Sequence, residues 1–103
     1  MTIKWVKVDP LVMNGEPFCY GTRLTVRNIL EMRSNGLSPD EMLVDNPELR
    51  RVGIAEAFRY AAENKARYAD FFEGNSLRGP GFSGDDATRL PEHLRGLTGV
   101  VVS

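Results

Sequence analysis

Residues 25–54 read TVRNILEMRSNGLSPDEMLVDNPELRRVGI, and this segment predicts the architecture because it contains the starts of three helices. Thr25 and Gly36 frame a first helix over about residues 26–35, since threonine caps a helix start and glycine ends a helix. The run from Ser38 to Glu41 starts a second helix, with serine at the cap, proline at the first position and glutamate at the third.

The second helix should end near Val44, because the residue before Pro47 is kept out of helical space. A longer third helix is predicted over about residues 51–73, with Gly74 as its stop. Apolar side chains recur along it at helical spacing, so one side should be buried; they are Ile54, Ala57, Phe58, Ala61, Tyr68, Phe71 and Phe72. The helical core is predicted to consist of Ile29, Leu30, Leu43, Ile54, Phe58 and Ala61.

Two short strands are predicted ahead of the helices, at residues 3–8 and 18–20, joined by an Asn-Gly-Glu-Pro turn at residues 14–17. A two-stranded ribbon is marginal in isolation. We therefore expect a homodimer in which residues 3–8 and 17–21 contribute strands across the interface.

Length and composition fit one globular domain. The chain has 103 residues, of which 42% are hydrophobic and 26% are charged. No apolar run is long enough to span a membrane, and a single cysteine excludes an intramolecular disulfide, so we expect a cytoplasmic protein. The composition changes after Asn75, which predicts a domain over residues 1–75 and a flexible C-terminal arm over residues 76–103.

The sequence offers little for catalysis. His93 is the only histidine, and no cysteine, aspartate or second histidine stands near it at ligand spacing. Cys19 lies in a predicted strand between two aromatic residues, which favours a buried, inert thiol. We therefore expect no enzymatic activity, no cofactor, no metal site and no small-molecule substrate.

Two short helices followed by a longer one are the plan of a homeodomain-like helix-turn-helix, whose third helix reads the major groove of DNA. The predicted fold class is therefore mainly α, a three-helix helix-turn-helix with a short N-terminal β ribbon. Arg50, Arg51 and Arg59 would supply the cations of the third helix, and Arg27 and Arg33 would touch phosphate. The alternative, that these are solvated charges paired with glutamates at helical spacing, stays equally open. The net charge of −1 predicts weak, salt-dependent DNA binding.

Motifs along about residues 3–73 closely resemble the domain of unknown function family DUF433. The most specific is a Gly-x-Pro-x-x-x-Gly-Thr-Arg block, formed here by Gly15, Pro17, Gly21, Thr22 and Arg23. Further matches are Asp9-Pro10, Val26, Ile29-Leu30, Gly36-Leu37-Ser38, Glu41, Asn46-Pro47-Glu48-Leu49, Ile54 and Ala57 to Ala62. In this block we expect Gly21 to make a sharp turn, Thr22 to bond the turn backbone, and Arg23 to hold carbonyls or a carboxylate such as Asp9. The second interpretation is that Arg23 contacts a partner at an interface.

The resemblance implies a homeodomain-like helix-turn-helix and a role as a non-catalytic antitoxin, in some members of VapB type, whose usual partner is a PIN-like ribonuclease toxin. Arginines of the predicted arm (Arg78, Arg89 and Arg95) could fold onto the acidic metal site of such a nuclease. Weak binding of operator DNA is expected as a second interaction. Two other functions remain: a stand-alone DNA-binding regulator, and a degenerate helix-turn-helix that serves as a dimerisation scaffold.

Overall fold

A computed structural model describes residues 5–11, 15–74 and 76–82. The fold is mainly α, with two small antiparallel strand pairs. The elements are β1 (Val6–Lys7), β2 (Phe18–Cys19), α1 (Val26–Ser34), α2 (Pro39–Asp45), α3 (Arg51–Glu63), a 3₁₀ turn (Ala69–Phe71), β3 (Phe72–Glu73) and β4 (Ser76–Leu77). Across these described ranges, no helix is both long enough and apolar enough to cross a membrane.

The starts of α1 and α2 confirm the predicted caps. The Thr25 hydroxyl accepts a hydrogen bond from the Asn28 amide at 2.9 Å, and the Asn28 side chain accepts one from the Thr25 amide at 3.1 Å. Ser38 and Glu41 make the same reciprocal pair at the start of α2. Gly36 follows α1 with a φ of +96°, a conformation that glycine adopts without strain.

The predicted length of α3 is wrong, because the helix ends at Glu63 and not near residue 73. The Asn64 side chain donates to the Tyr60 carbonyl at 2.8 Å, which satisfies a carbonyl that the next helical turn would otherwise use. The chain then turns, and β3 and β4 form a hairpin in which Phe72 pairs with Leu77. Tyr68 is buried as predicted, but it lies outside the helix.

The segment after the hairpin packs onto the helices. Leu77 and Phe82 are both buried, and the Phe82 ring lies edge-to-face on Phe58 with ring centres 5.8 Å apart. The boundary expected at residue 75 therefore falls inside packed structure, since burying these two side chains anchors residues 76–82. The remainder of the expected arm, residues 83–103, lies outside the described residues.

The core lies around α3, which contacts α1, α2, β1 and β2. Of the predicted core residues, Ile29, Leu30, Ile54, Phe58 and Ala61 are confirmed as buried. Leu43 is only partly buried, because the short helix α2 turns Met42 inward instead. The other buried apolar residues are Cys19, Val26, Leu49, Ala55, Ala57, Tyr68, Leu77 and Phe82.

The predicted N-terminal ribbon is present but short. β1 and β2 are antiparallel, with Val6 opposite Cys19 and Lys7 opposite Phe18. Phe18 also bridges to Thr25 on its other side, which joins the ribbon to the start of α1. Residues 3 and 4, expected in the first strand, lie outside the described residues.

Gly53 lies in the first turn of α3, and glycine is a poorer helix former than alanine by up to about 1 kcal/mol. A Cβ atom built there would lie 3.7 Å from Cε3 of Trp5, which is ordinary van der Waals contact. We expect Gly53→Ala to raise the free energy of unfolding by about 0.5–1 kcal/mol. Urea denaturation followed by circular dichroism measures this. An equal or lower unfolding midpoint would show that Trp5 resists the added methyl group.

Candidate functional site

The outward arginines of α3 are held by carboxylates. Arg51 donates to Asp40 of α2 at 2.5 Å. Arg59 lies between two glutamates of its own helix, 3.8 Å from Glu56 and 3.6 Å from Glu63. The two arginines and two glutamates of α3 cancel, so this helix carries no net charge.

Arg50 and Arg27 are the other candidate DNA contacts that reach the surface. Arg50, just ahead of α3, is exposed, and its guanidinium lies 3.5 Å from the Leu49 carbonyl. Arg27 on α1 lies 3.6 Å from Glu16, and its guanidinium is 5.3 Å from the centre of the Tyr68 ring. Arg27 is thus engaged by both a carboxylate and an aromatic face.

Arg33 cannot touch phosphate, which corrects its assignment as a DNA contact. The residue is 1% exposed, and its guanidinium lies 4.5 Å above the centre of the Phe58 ring. Its Nε donates to the Gly79 carbonyl at 3.3 Å. Burial lowers the pKa of Arg33 to about 10, so the group stays charged at neutral pH. Arg33 connects α1, α3 and the segment around Gly79.

The glycine-threonine-arginine block is a tight structural turn. Gly15 and Gly21 both have positive φ, at +80° and +78°, where glycine is favoured. The Thr22 hydroxyl donates to the Cys19 carbonyl at 2.9 Å and accepts from the Leu24 amide at 3.0 Å. Pro17 is buried, and its carbonyl accepts from the Val26 amide. The expected backbone role of Thr22 is confirmed.

Arg23 does not have the structural role that the sequence favoured. It is exposed and has no hydrogen bond or ion pair with any residue in the described ranges. Asp9, its expected partner, instead accepts a hydrogen bond from the Leu11 amide at 2.9 Å. The second interpretation, in which Arg23 contacts a partner at an interface, remains open.

An open cavity of about 440 Å³ lies on the outer side of α2, lined by Leu37, Asp40, Glu41, Val44 and Asp45. We call it the α2 groove. Val44 is 78% exposed, and Leu37 is partly buried. Three of the five lining side chains are carboxylates and two are apolar, so the groove combines negative charge with apolar surface.

The acidic character of the groove could be predicted from the sequence, but the exposure of its apolar side chain could not. The stretch from Asp40 to Glu48 holds four acidic residues and no basic one, and this count was available from the sequence. The exposure of Val44 was not, because helical spacing alone does not say which neighbouring element covers a side chain.

Cys19 is a buried thiol, as predicted. It is 1% exposed, its Sγ lies 3.8 Å from the Gly53 carbonyl, and burial raises its pKa from 9.0 to about 12. Nucleophilic or metal-binding chemistry needs the thiolate, which this environment disfavours. Within the described part of the chain, no three histidine, cysteine or acidic residues converge to hold a metal ion. His93 lies outside that part.

The raised pKa of Cys19 makes stability depend on alkaline pH. Below about pH 9 both states keep the proton, so the contribution is fully present. Above it the unfolded thiol ionises while the folded thiol does not, and the free energy of unfolding falls by about 1.4 kcal/mol per pH unit. Urea denaturation at about pH 8 and about pH 10, compared with Cys19→Ala, isolates this loss. Identical pH dependence in the two proteins would contradict the buried thiol.

The family described as "Protein of unknown function (DUF433)" has a model that matches residues 6–61, more than half of the chain. The match covers both strands of the ribbon, the Gly15–Arg23 block, α1, α2 and nearly all of α3. No curated protein and no solved structure matches the chain. The chain therefore belongs to the DUF433 family.

Proposed function

We propose that this protein is a non-catalytic antitoxin-type module, homodimeric and of homeodomain-like helix-turn-helix architecture, that binds and inhibits a PIN-like ribonuclease. Operator DNA is a weak, secondary partner. The observation that carries the preference for a protein partner is the neutral charge of α3, the helix that would have to read DNA.

Phosphate binding scales with the number of cations that reach the DNA backbone. A phosphate approaching Arg51 or Arg59 would have to replace a carboxylate that is already there and would be repelled by it. Arg33 is buried, which removes a third candidate. Arg27 is also paired with a carboxylate, that of Glu16, so of the candidates that reach the surface only Arg50 has no such partner among the described residues. The surroundings of α3 therefore offer little net attraction to a polyanion.

Exposed apolar side chains around the ribbon support a protein interface. Leu11 is 94% exposed, Val8 is 57% exposed and Tyr20 is 48% exposed. Such side chains on and beside a two-stranded ribbon gain most when a second ribbon covers them. A second copy of the chain is the partner that this proposal assigns to the ribbon.

Arg78 is the described member of the three arginines expected to contact the toxin. It is exposed, and its amide donates to the Phe71 carbonyl at 2.9 Å, so it projects from the anchored segment after β4. Arg89 and Arg95 lie outside the described residues. Insertion of these arginines into the acidic metal site of a nuclease remains part of the proposal.

The test uses any PIN-like ribonuclease that is encoded beside this chain's gene. The nuclease is titrated with the full chain while cleavage of a labelled RNA is followed, and light scattering gives the mass of each species. We expect inhibition that saturates at a fixed stoichiometry and a homodimer of the free chain. Full nuclease activity in excess chain, with no complex formed, would overturn the antitoxin function.

The DNA component is measured separately. A labelled upstream fragment is titrated with the chain at two salt concentrations, alongside Arg51→Glu. We expect weak binding that falls steeply with salt. Tight binding that Arg51→Glu abolishes would place DNA ahead of the nuclease as the principal partner.

A further inference from the structure

We propose that the α2 groove is the surface that captures a cationic partner, and specifically the nucleic-acid-binding surface of the inhibited nuclease. This inference rests on the proposed function and names the surface that performs it. The Asp45 carboxylate would occupy the position of an RNA phosphate, and Leu37 and Val44 would contact an aromatic side chain of the partner.

The charge of the groove selects the partner. Asp40, Glu41 and Asp45 line it, and Glu48 lies exposed in the turn that follows α2. Asp40 is held by Arg51 and Glu41 caps its own helix, whereas Asp45 has no hydrogen bond or ion pair with another described residue. Asp45 is thus available to a cation from outside.

The last turn of α2 has residue types that do not favour a helix C-terminus. A carboxylate at the C-terminus opposes the helix dipole, and α2 has no basic residue in its last turn. Val44, beside it, places a β-branched apolar side chain in solvent. Neither choice stabilises the isolated chain. Residues that break local rules without a compensating contact are expected where a surface has a function.

The nucleic-acid-binding surface of a ribonuclease has the complementary chemistry. Such surfaces carry lysine and arginine for phosphates and aromatic side chains on which bases stack. A groove with exposed carboxylates around Leu37 and Val44 can pair with both features at once. Opposite potentials at such an interface also speed association and favour this partner over neutral or acidic ones.

Two substitutions in the groove test the inference without loss of the fold. Asp45→Lys places a favourable cation at the end of α2, and Val44→Ala introduces a better helix former. Glu73→Lys makes the same change of charge on exposed β3, outside the groove, and is the matched control.

The first probe is a fluorescein-labelled peptide of lysines flanking one tryptophan, titrated into each full-length protein. We expect Asp45→Lys to weaken binding about tenfold and Val44→Ala about threefold, while Glu73→Lys binds as the parent chain does. Equal weakening by Asp45→Lys and Glu73→Lys would reduce the effect to net charge and overturn the groove. Absence of peptide binding at low salt would overturn it as well.

The second probe is the PIN-like ribonuclease, titrated with the same proteins. Loss of inhibition with Asp45→Lys, together with full inhibition by Glu73→Lys, supports the groove as the capture surface. Undiminished inhibition by both groove variants would overturn the groove and leave the antitoxin function in place. Peptide binding at the groove by a chain that has no effect on the nuclease would overturn the proposed function and, with it, the nuclease as the occupant of the groove.

Discussion

Gly79→Ala should unfold the protein or reduce its free energy of unfolding by at least about 3 kcal/mol. A Cβ atom at this position would lie 1.7 Å from the Arg33 carbonyl oxygen and 2.5 Å from its carbonyl carbon. Neither atom can retreat, because both belong to the backbone of α1. The segment around Gly79 must therefore move, and it carries the buried side chains of Leu77 and Phe82 out of the core.

Gly36→Ala is the matched control for this change. Gly36 has nearly the same φ, +96° against +90°, and no atom lies within 4 Å of a Cβ built there. It should therefore show the cost of positive φ alone, about 1–2 kcal/mol. Urea denaturation of both variants separates the clash from the backbone strain. Equal losses would show that the segment around Gly79 adjusts without leaving the core.

Local signals in the sequence predicted the local parts of the fold. The caps of α1 and α2 depend on hydrogen bonds between residues three positions apart, so Thr25 and Ser38 could be assigned from the sequence. The end of α3 could not be assigned in the same way. Tyr68 keeps helical spacing with Phe58 and Ala61, yet the Asn64 side chain competes for the Tyr60 carbonyl and the chain leaves the helix.

The candidate site depended on contacts between distant residues, which single-sequence reasoning does not see. The carbonyl that Arg33 binds belongs to Gly79, 46 positions away, so the sequence around α1 predicts a surface cation where the structure has a buried one. Arg51 and Asp40 are likewise on different helices. By contrast, the pairing of Arg59 with Glu56 and Glu63 follows from helical spacing, and the sequence had left that alternative open.

Phe58→Ala should reduce the free energy of unfolding by about 3–5 kcal/mol, a large part of the about 5–15 kcal/mol typical of a domain. Phe58 is 0% exposed, and its ring contacts both Phe82 and the Arg33 guanidinium. Truncation leaves a cavity and removes the aromatic pair with Phe82. It also removes the ring face that stabilises the buried guanidinium of Arg33. Phe58→Leu fills most of that space but lacks the ring. It should reduce the free energy of unfolding by less than Phe58→Ala does. The difference between the two variants separates the effect of the cavity from the loss of the ring contacts.

The losses in Phe58→Ala and Gly79→Ala should not add. Both variants remove the contact between Phe58 and Phe82, one by deleting a ring and the other by displacing the segment that carries the second ring. The double variant should thus be more stable than the sum of the single losses predicts, as expected for residues that share a partner. Urea denaturation of all four proteins in one buffer gives this coupling, with Gly36→Ala in place of Gly79→Ala as the uncoupled comparison. Strict additivity with Gly79→Ala would mean that Phe82 keeps its place on Phe58 after the clash, and that the core does not depend on Gly79 to hold residues 76–82.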